Sequence, residues 1–473
     1  MDIRERLKDY LTKSKNRRSS SLRTNTFSGI TLDLSRNFIS KDILMQMKSL
    51  LTINRFSEKR KRLFTNKLIS KTESQQVSYV YYRNNQMYDK DIHEMSKFYL
   101  QIKQNKIKSC DGYKINTIVH VGIGGSILGA KFLSEALEDS KKNEFETHFV
   151  SSGDDDEISD LTKKIDIKRT LFIFASKSFK TDEIIRIKLF IDNYIGKHHA
   201  KYADYIHKNQ FVAISSNALE CKKHNFVSKN IFTFPKTISG RFSIASPVTL
   251  INMFEIGIEN YQKFVNGIRS MDSHFLKTKF ELNLPINLAL INIWNINYLS
   301  KYGNVIVPYS YRLRNISNYI QQIEMESNGK STTNNSDHSL NKTAPILFGT
   351  SGTECQHSFF QAAHQGTLNL YFDFIYVKQL KTDSKRFLSA NVHAQADLLF
   401  KGKKTKHLHK SLNSNSPSNL VSLDRISPDR VGKIISLYEH KVFTEGVIWN
   451  INSYDQWGVE EGKILAKKNL SKI

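Results

Sequence analysis

From about residue 114 onward, short apolar runs alternate with amphipathic stretches of helical spacing. The runs are NTIVHVG, ETHFVSS, RTLFIFAS, NQFVAISS and NIFTFP. Runs that are apolar throughout suit strands buried on both faces, and the helices between them supply the crossovers that parallel pairing requires. The alternation then recurs. After a long apolar stretch at 282–303 come NVIVPYS (304–310), PILFGTS (345–351) and LYFDFIYVK (370–378). The pattern predicts an α/β chain of two tandem, doubly wound parallel-sheet domains, over residues 111–280 and 281–426. A helical segment at 1–110 precedes them, in which KDILMQMKSLLT (41–52) and DIHEMSKFYLQI (91–102) carry apolar residues at helical spacing. A mostly helical segment at 427–473 follows. Two polar segments, 327–343 and 401–419, read as loops or flaps. His407 and His409 lie in the second without an acidic or cysteine partner nearby, so a solvated basic loop is the better reading than a metal site.

The chain has 473 residues, enough to bury a core without disulfide or metal staples. Its 70 Lys and Arg against 45 Asp and Glu leave a formal charge of +25, which raises nucleic acid, an anionic membrane or an anionic small molecule as partners. The basic residues are spread along the whole chain, without an RNA-recognition, helix-turn-helix or zinc-finger pattern, so no specific nucleic-acid partner is expected. The apolar window at 282–303 is interrupted by Pro285 and several asparagines and reads as a buried helix, not a membrane span. The amino terminus lacks the apolar core of a secretory signal, and Asp2, Glu5 and Asp9 argue against a transit peptide. Three scattered cysteines, Cys110, Cys221 and Cys355, form no disulfide framework. A soluble, cytoplasmic protein is the expectation.

Two loops carry the first chemical signals. His120-Val121-Gly122-Ile123-Gly124-Gly125-Ser126-Ile127-Leu128-Gly129 follows a strand and opens a helix. Glycines let the backbone approach an anion, the helix start offers free N–H groups, and Ser126 adds a hydroxyl. A dinucleotide fingerprint would need glycine where Ile127 stands, and the P-loop lysine is missing. The turn is an anion cradle without a nucleotide signature, or else a purely structural tight turn. Ala175-Ser176-Lys177-Ser178-Phe179-Lys180-Thr181 closes a second strand before another helix. One of its hydroxyls is explained by helix capping. Three, flanked by two lysines at the carboxyl end of a parallel sheet, favour a phosphate monoester.

Further motifs resemble the glucose-6-phosphate isomerase (phosphoglucose isomerase) family. They are Gln321-Gln322-Ile323-Glu324-Met325-Glu326-Ser327-Asn328-Gly329-Lys330, the run from Gly446 through Trp449, Tyr454, Gln456 and Gly458 to Lys463, Gly240-Arg241-Phe242-Ser243, and Gly352-Thr353 through Gln356-His357-Ser358-Phe359. With the two loops they fall in the family's order from about residue 115 to the end. The resemblance implies two sugar-isomerase (SIS) α/β domains, a sugar-phosphate substrate, no cofactor or metal, and a homodimer. It assigns proton transfer between C1 and C2 to Glu326 and stabilisation of a cis-enediolate to Arg241. Ring opening falls to His357 and Lys463. Gln322 and Gln456 would contact substrate, and Gly125, Ser126, Ser176, Lys177, Ser178, Phe179, Lys180 and Thr181 would hold its phosphate. The carboxy-terminal segment would complete the active site. Four departures from the family pattern stand out. Ser239 replaces the first of two glycines before the arginine, Glu354-Cys355 replaces Asn-Gly, and Ser178 and Lys180 each replace a threonine.

Overall fold

The computed structural model describes residues 24–379, 381–413 and 415–472. The amino-terminal stretch weighed above as a targeting segment lies outside them. Asn25–Phe27 (β1) and Ile30–Arg36 (β2) form a hairpin around Ser28 and Gly29, whose φ values of 45° and 86° suit a two-residue turn. A shorter hairpin joins Ile69–Ser70 (β3) and Gln75–Gln76 (β4). The next five strands are Thr117–Gly122 (β5), Glu146–Val150 (β6), Thr170–Ala175 (β7), Phe211–Ser215 (β8) and Ile231–Thr233 (β9). They build an all-parallel sheet in the order β6-β5-β7-β8-β9. A second sheet contains Gly303–Tyr309 (β10), Ile346–Phe348 (β11), Leu370–Val377 (β12) and Ser418–Leu423 (β13), parallel in the order β11-β10-β12-β13.

Each of the eight apolar runs read from the sequence forms a strand. β5, β7, β8, β10 and β12 are buried on both faces, as continuous apolar runs require, while β6, β9 and β11 at the sheet edges are partly open. The segment 1–110 needs correction. Its helices Lys41–Ile53 and Gln86–Lys103 form, but β1 to β4 interrupt them, and β2 pairs antiparallel with β13 to extend the second sheet. Ile30, Leu32 and Leu34 do alternate at the spacing of a strand, yet the partner that stabilises them lies almost four hundred residues away. The polar segments are also not loops throughout. Ser327, Asn328, Ser418 and Asn419 at their ends are buried. Their polarity serves internal hydrogen bonds, such as Asn419 Nδ2 to Asp373 Oδ1 at 2.7 Å.

One large apolar cluster takes side chains from both sheets and from the helices Leu250–Lys277 and Pro428–Trp449. These two helices touch backbone to backbone. A Cβ on Gly267 would lie 2.1 Å from the Asp429 carbonyl oxygen, and one on Gly432 would lie 2.2 Å from that of Phe264. The second helix is buried without a break from Val431 to Trp449, although it carries Glu439, His440, Lys441 and Glu445. Among the described residues no helix is long and apolar enough to cross a membrane.

Buried charges require partners, and here each finds several. Arg83 Nε and Nη2 donate to the two oxygens of Asp272 at 2.8 and 2.6 Å, and Nη1 pairs with Glu439. Ser436, His440 and Asn84 also donate to Asp272, at 2.7, 2.8 and 2.6 Å. Burial by itself would raise the Asp272 carboxyl, but Arg83 and His440 hold it well below the usual carboxylate range. A depressed folded pKa stabilises above the unfolded value, and that contribution fades as pH falls toward the folded one. The cluster joins the amino-terminal segment to both central helices. Asp272→Asn leaves Arg83 buried without its bidentate partner and is expected to lower unfolding free energy at pH 7 by about 3–5 kcal/mol. Urea unfolding would measure it, and a loss under 1 kcal/mol would contradict the network's role.

Candidate functional site

The order β6-β5-β7 makes the chain leave β5 to one side and return on the other. The carboxyl ends of β5 and β7 therefore flank a topological switch point, the crevice where open α/β sheets bind ligands. Gly122 at the end of β5 stands in register with Ala175 at the end of β7, so the glycine-rich turn and the hydroxyl loop leave side by side.

The turn runs through a 3-10 segment, Gly124–Ser126, into the helix Leu128–Ala136. A Cβ on Gly125 would lie 2.2 Å from the carbonyl carbon of Gly240 and 2.6 Å from the Arg241 nitrogen. Glycine here permits the turn to seat directly on the loop that carries Arg241. The position of Gly124 lies close to Gln322, whose Nε2 would be 3.1 Å from a Cβ there. Gln322 Oε1 is buried with no partner among the described residues.

In the hydroxyl loop, Ser176 Oγ lies 3.1 Å from Thr181 Oγ1 and accepts from the Phe179 N–H at 3.2 Å. Thr181 occupies the N-cap position of the helix Asp182–His198, yet its side chain makes no capping bond. Ser178 Oγ accepts from the Lys180 N–H at 3.2 Å. Phe179 has φ 54° and buries its ring in the outer apolar cluster of the first sheet, so it anchors the loop. Lys177 is half-buried. Burial pushes its ammonium below the usual lysine range, Glu73 opposes that shift, and Arg241 reinforces it. The Lys177 carbonyl accepts from Ser215 Oγ at 3.0 Å and Ser216 Oγ at 2.7 Å, which fixes the loop to the end of β8. Lys180 is exposed.

Arg241 is 2% exposed, and its guanidinium is held from three directions. Nε donates to Ser327 Oγ at 2.7 Å, Nη1 to Gln456 Oε1 at 3.1 Å, and Nη2 to the carbonyls of Ser453 and Asp455 at 2.7 and 3.0 Å. Nη1 also lies 3.3 Å from Glu326 Oε1. Burial pulls the Arg241 pKa down, with Glu326 and Asp455 opposing that shift, and a guanidinium stays charged even so. Gln322–Glu326 forms a π-helical turn, a local widening common at functional sites, and it begins and ends on two candidate site residues. The Glu326 side chain is 26% exposed, reachable by a ligand beside a fixed cation.

Lys330 had no role assigned from the sequence. Its Nζ donates to the carbonyls of Glu326, Ser327 and Asp455 at 2.7, 3.1 and 3.1 Å, which ties the Glu326 turn to the 453–456 loop. Its place at the end of the Gln321–Lys330 motif was the available signal. The structure does not bring His357 or Lys463 to this cluster. His357 follows the short helix Gly352–Gln356 and is exposed. Lys463 lies on the helix Glu460–Leu470, is 59% exposed and pairs with Glu460 at 2.9 Å. That helix does approach the helix that follows the hydroxyl loop, with Lys467 3.2 Å from Asp182.

The departures near His357 have local explanations. Glu354 Oε2 accepts from Thr350 Oγ1 at 2.6 Å, and Cys355 is buried with its Sγ 3.2 Å from the Thr350 carbonyl. Burial pushes the Cys355 thiol up to about 12, which makes it unreactive at neutral pH. Among the described residues no group of three His, Cys, Asp or Glu side chains is placed to share a metal ion.

The sequence profile of the phosphoglucose isomerase family matches residues 33–473. The glucose-6-phosphate isomerase of Kluyveromyces lactis is 34% identical over 469 residues, spanning 93% of this chain and 84% of that protein. That of Buchnera aphidicola subsp. Cinara cedri is 36% identical over 495 residues, spanning 97% and 89%. Among solved structures, a glucose-6-phosphate isomerase from Chlamydia trachomatis superposes with a TM-score of 0.86 at 27% identity, covering 99% of this chain and 94% of that one. A hypothetical protein from Thermus thermophilus shares the fold, with a TM-score of 0.71 at 21% identity.

Ser239, which stands in place of a family glycine, takes φ −69° and ψ 146°, which any residue adopts. Its hydroxyl donates to the Tyr454 carbonyl at 3.0 Å and so links the Arg241 loop to the segment bearing Gln456. Ser239→Gly is expected to cost about 1–2 kcal/mol, from the lost bond and the added backbone freedom. Ser239→Ala isolates the hydroxyl and should cost about 1 kcal/mol. Denaturant titration of both would show it, and unchanged stability in both would mean the tether is idle.

Proposed function

The chain belongs to the phosphoglucose isomerase family and interconverts D-glucose 6-phosphate and D-fructose 6-phosphate, a step of glycolysis and gluconeogenesis; we propose that it does so through the residues gathered around Arg241. The observation that carries this reading is the pairing of a reachable Glu326 carboxylate with a guanidinium fixed by four acceptors, beside two anion-binding loops.

Moving a carbonyl between C1 and C2 requires a base that removes a proton next to the carbonyl and returns it to the neighbouring carbon. Glu326 takes that proton, and the same carboxyl delivers it. The enediolate formed between these steps carries negative charge, and Arg241 meets it with a cation that needs no reorganisation. The phosphate sits against Ser126, Ser176, Ser178 and Thr181, with Gly125 and Lys177 to Thr181 supplying backbone and ammonium groups. Gln322 and Gln456 contact the sugar. No cofactor enters this scheme.

The substrate arrives mainly as a closed ring, so an acid and a base must open it. His357 and Lys463 perform this step. The enzyme works as a homodimer in the cytoplasm, with His357 reaching the site whose Glu326 belongs to the other protomer. Two features support this arrangement: His357 is exposed on its own chain, and the carboxy-terminal helix exposes Ile464, Leu465 and Leu470. Cys110, Cys221 and Cys355 are free thiols, suited to a reducing compartment.

Glu326→Gln is expected to lower kcat at least ~10²-fold and to abolish exchange of the substrate C2 proton with solvent, followed by proton NMR in deuterated buffer. Retained exchange would place the base elsewhere. The shared site has its own test. Homodimers of Glu326→Gln and of His357→Ala should each be nearly inactive. After unfolding, mixing and refolding with random pairing, about half the dimers are hybrids, each with one site holding both defects and one holding neither, so roughly a quarter of wild-type activity should return. Hybrids that form without regaining activity would place His357 in its own chain's site.

A further inference from the structure

His120 interrupts a strand that is otherwise apolar. In β5, Val119 and Val121 face the outer apolar cluster and Ile118 belongs to the inner one. His120 is fully buried in the same run, its ring 5.9 Å from that of Phe149. A buried imidazole is costly unless it is hydrogen-bonded. One bond accounts for it: Nε2 lies 2.8 Å from the Ser126 carbonyl oxygen. A carbonyl only accepts, so Nε2 carries the proton. Nδ1 is buried with no partner among the described residues. Burial pushes the ring down to about 4, with the bond to Ser126 opposing that shift, so it is neutral at working pH and held as one tautomer.

The turn above it has reason to need such a tether. Three of the four residues Gly122-Ile123-Gly124-Gly125 are glycines, which lose the most conformational freedom on ordering. A Cβ on Gly122 would lie 2.6 Å from the Ser126 oxygen and 3.2 Å from His120 Nε2, so the turn folds back tightly over the imidazole. The turn's other bonds are short-range or longer. Ser126 N–H donates to Ile123 at 3.1 Å, Ile127 N–H donates to Gly124 at 3.0 Å, and Ser243 Oγ reaches the Gly125 carbonyl at 3.4 Å.

We propose that His120 is a positioning residue for the phosphate subsite: by donating from Nε2 to the Ser126 carbonyl, it orders the glycine-rich turn so that Ser126 and Gly125 face the anion. The inference rests on the reading of this turn as a phosphate cradle. It assigns His120 no contact with substrate. The order it imposes improves binding, because a turn that is already set loses less freedom when phosphate arrives.

The test uses the full-length protein and two substitutions. His120→Leu removes the donor from an apolar setting, and His120→Gln keeps a side-chain N–H of similar reach. Inorganic phosphate is titrated by calorimetry, and KM and kcat are measured with fructose 6-phosphate. The expected result for His120→Leu is a rise of about fivefold or more in both the phosphate Kd and KM, with kcat changed less than KM. His120→Gln should lie within about twofold of wild type in both. Thermal unfolding establishes that each variant is folded. A folded His120→Leu that binds phosphate as wild type does would overturn the proposal, as would equal losses in the two variants. Nitrogen-15 NMR of histidine-labelled wild-type protein gives a second check, with His120→Gln supplying the assignment. The wild-type resonance that is absent from His120→Gln should report a proton on Nε2. A proton on Nδ1 alone would overturn the assignment. Phosphate binding that depends on His120, in a wild-type protein that does not isomerise fructose 6-phosphate, would support this inference while refuting the functional reading above.

Discussion

The fold depends on two helices meeting without side chains between them. Gly267 and Gly432 let Leu250–Lys277 and Pro428–Trp449 press backbone against backbone, and any Cβ at either position would overlap a carbonyl. That contact places a helix from the end of the chain in the centre of the molecule, buried along most of its length. Glu439, His440, Lys441 and Glu445 then have no access to water. Glu439 and His440 enter the Arg83–Asp272 network, while Lys441 pairs with Glu324 and Glu445 at 2.8 and 2.9 Å. Breaking one member of such a set leaves a charge stranded, so the networks make the packing all or nothing.

The active region follows from the same economy of partners. Arg241 is nearly as buried as Arg83, but its Nη1 lies 3.3 Å from Glu326, whose side chain is 26% exposed. Its acceptors come from Ser327 beyond the π-helical turn and from Ser453, Asp455 and Gln456 after the buried helix. Lys330 and Ser239 brace the same junction through backbone carbonyls. In the proposed reaction, a cation fixed in this way is aimed before a substrate arrives, which is where electrostatic catalysis gains its advantage over water. The anion loops lie alongside because strand order puts β5 and β7 next to each other at the switch point.

Some of this was legible in the residues. Eight strands could be read because each is a short, mainly apolar run, and local hydrophobic pattern is enough to mark such a run as a strand. The hairpin β1–β2 and the strand β13 were harder. SNLVSL is polar at its start because Asn419 bonds Asp373, and β2 is stabilised by a partner distant in sequence. The candidate site divides in the same way. Glycines and hydroxyls at strand ends announce an anion cradle by composition alone, but Lys330 acts through backbone carbonyls that only folding brings near. Thr181 shows the limit of local rules, since it holds the N-cap position without capping and turns its hydroxyl to Ser176.

The sequence by itself determined the α/β alternation, the two anion loops and the family motifs that point to Glu326, Arg241, His357 and Lys463, because periodicity and residue chemistry are local properties. The tertiary structure decided which of these meet. It joined Arg241 to Glu326 and Gln456, left His357 and Lys463 apart on exposed elements, and turned Ser239 from an irregularity into a tether. It also set His120 beneath Ser126. The physical reason is that a hydrogen bond or ion pair depends on distance in space, and distances between segments hundreds of residues apart are fixed only when the core packs.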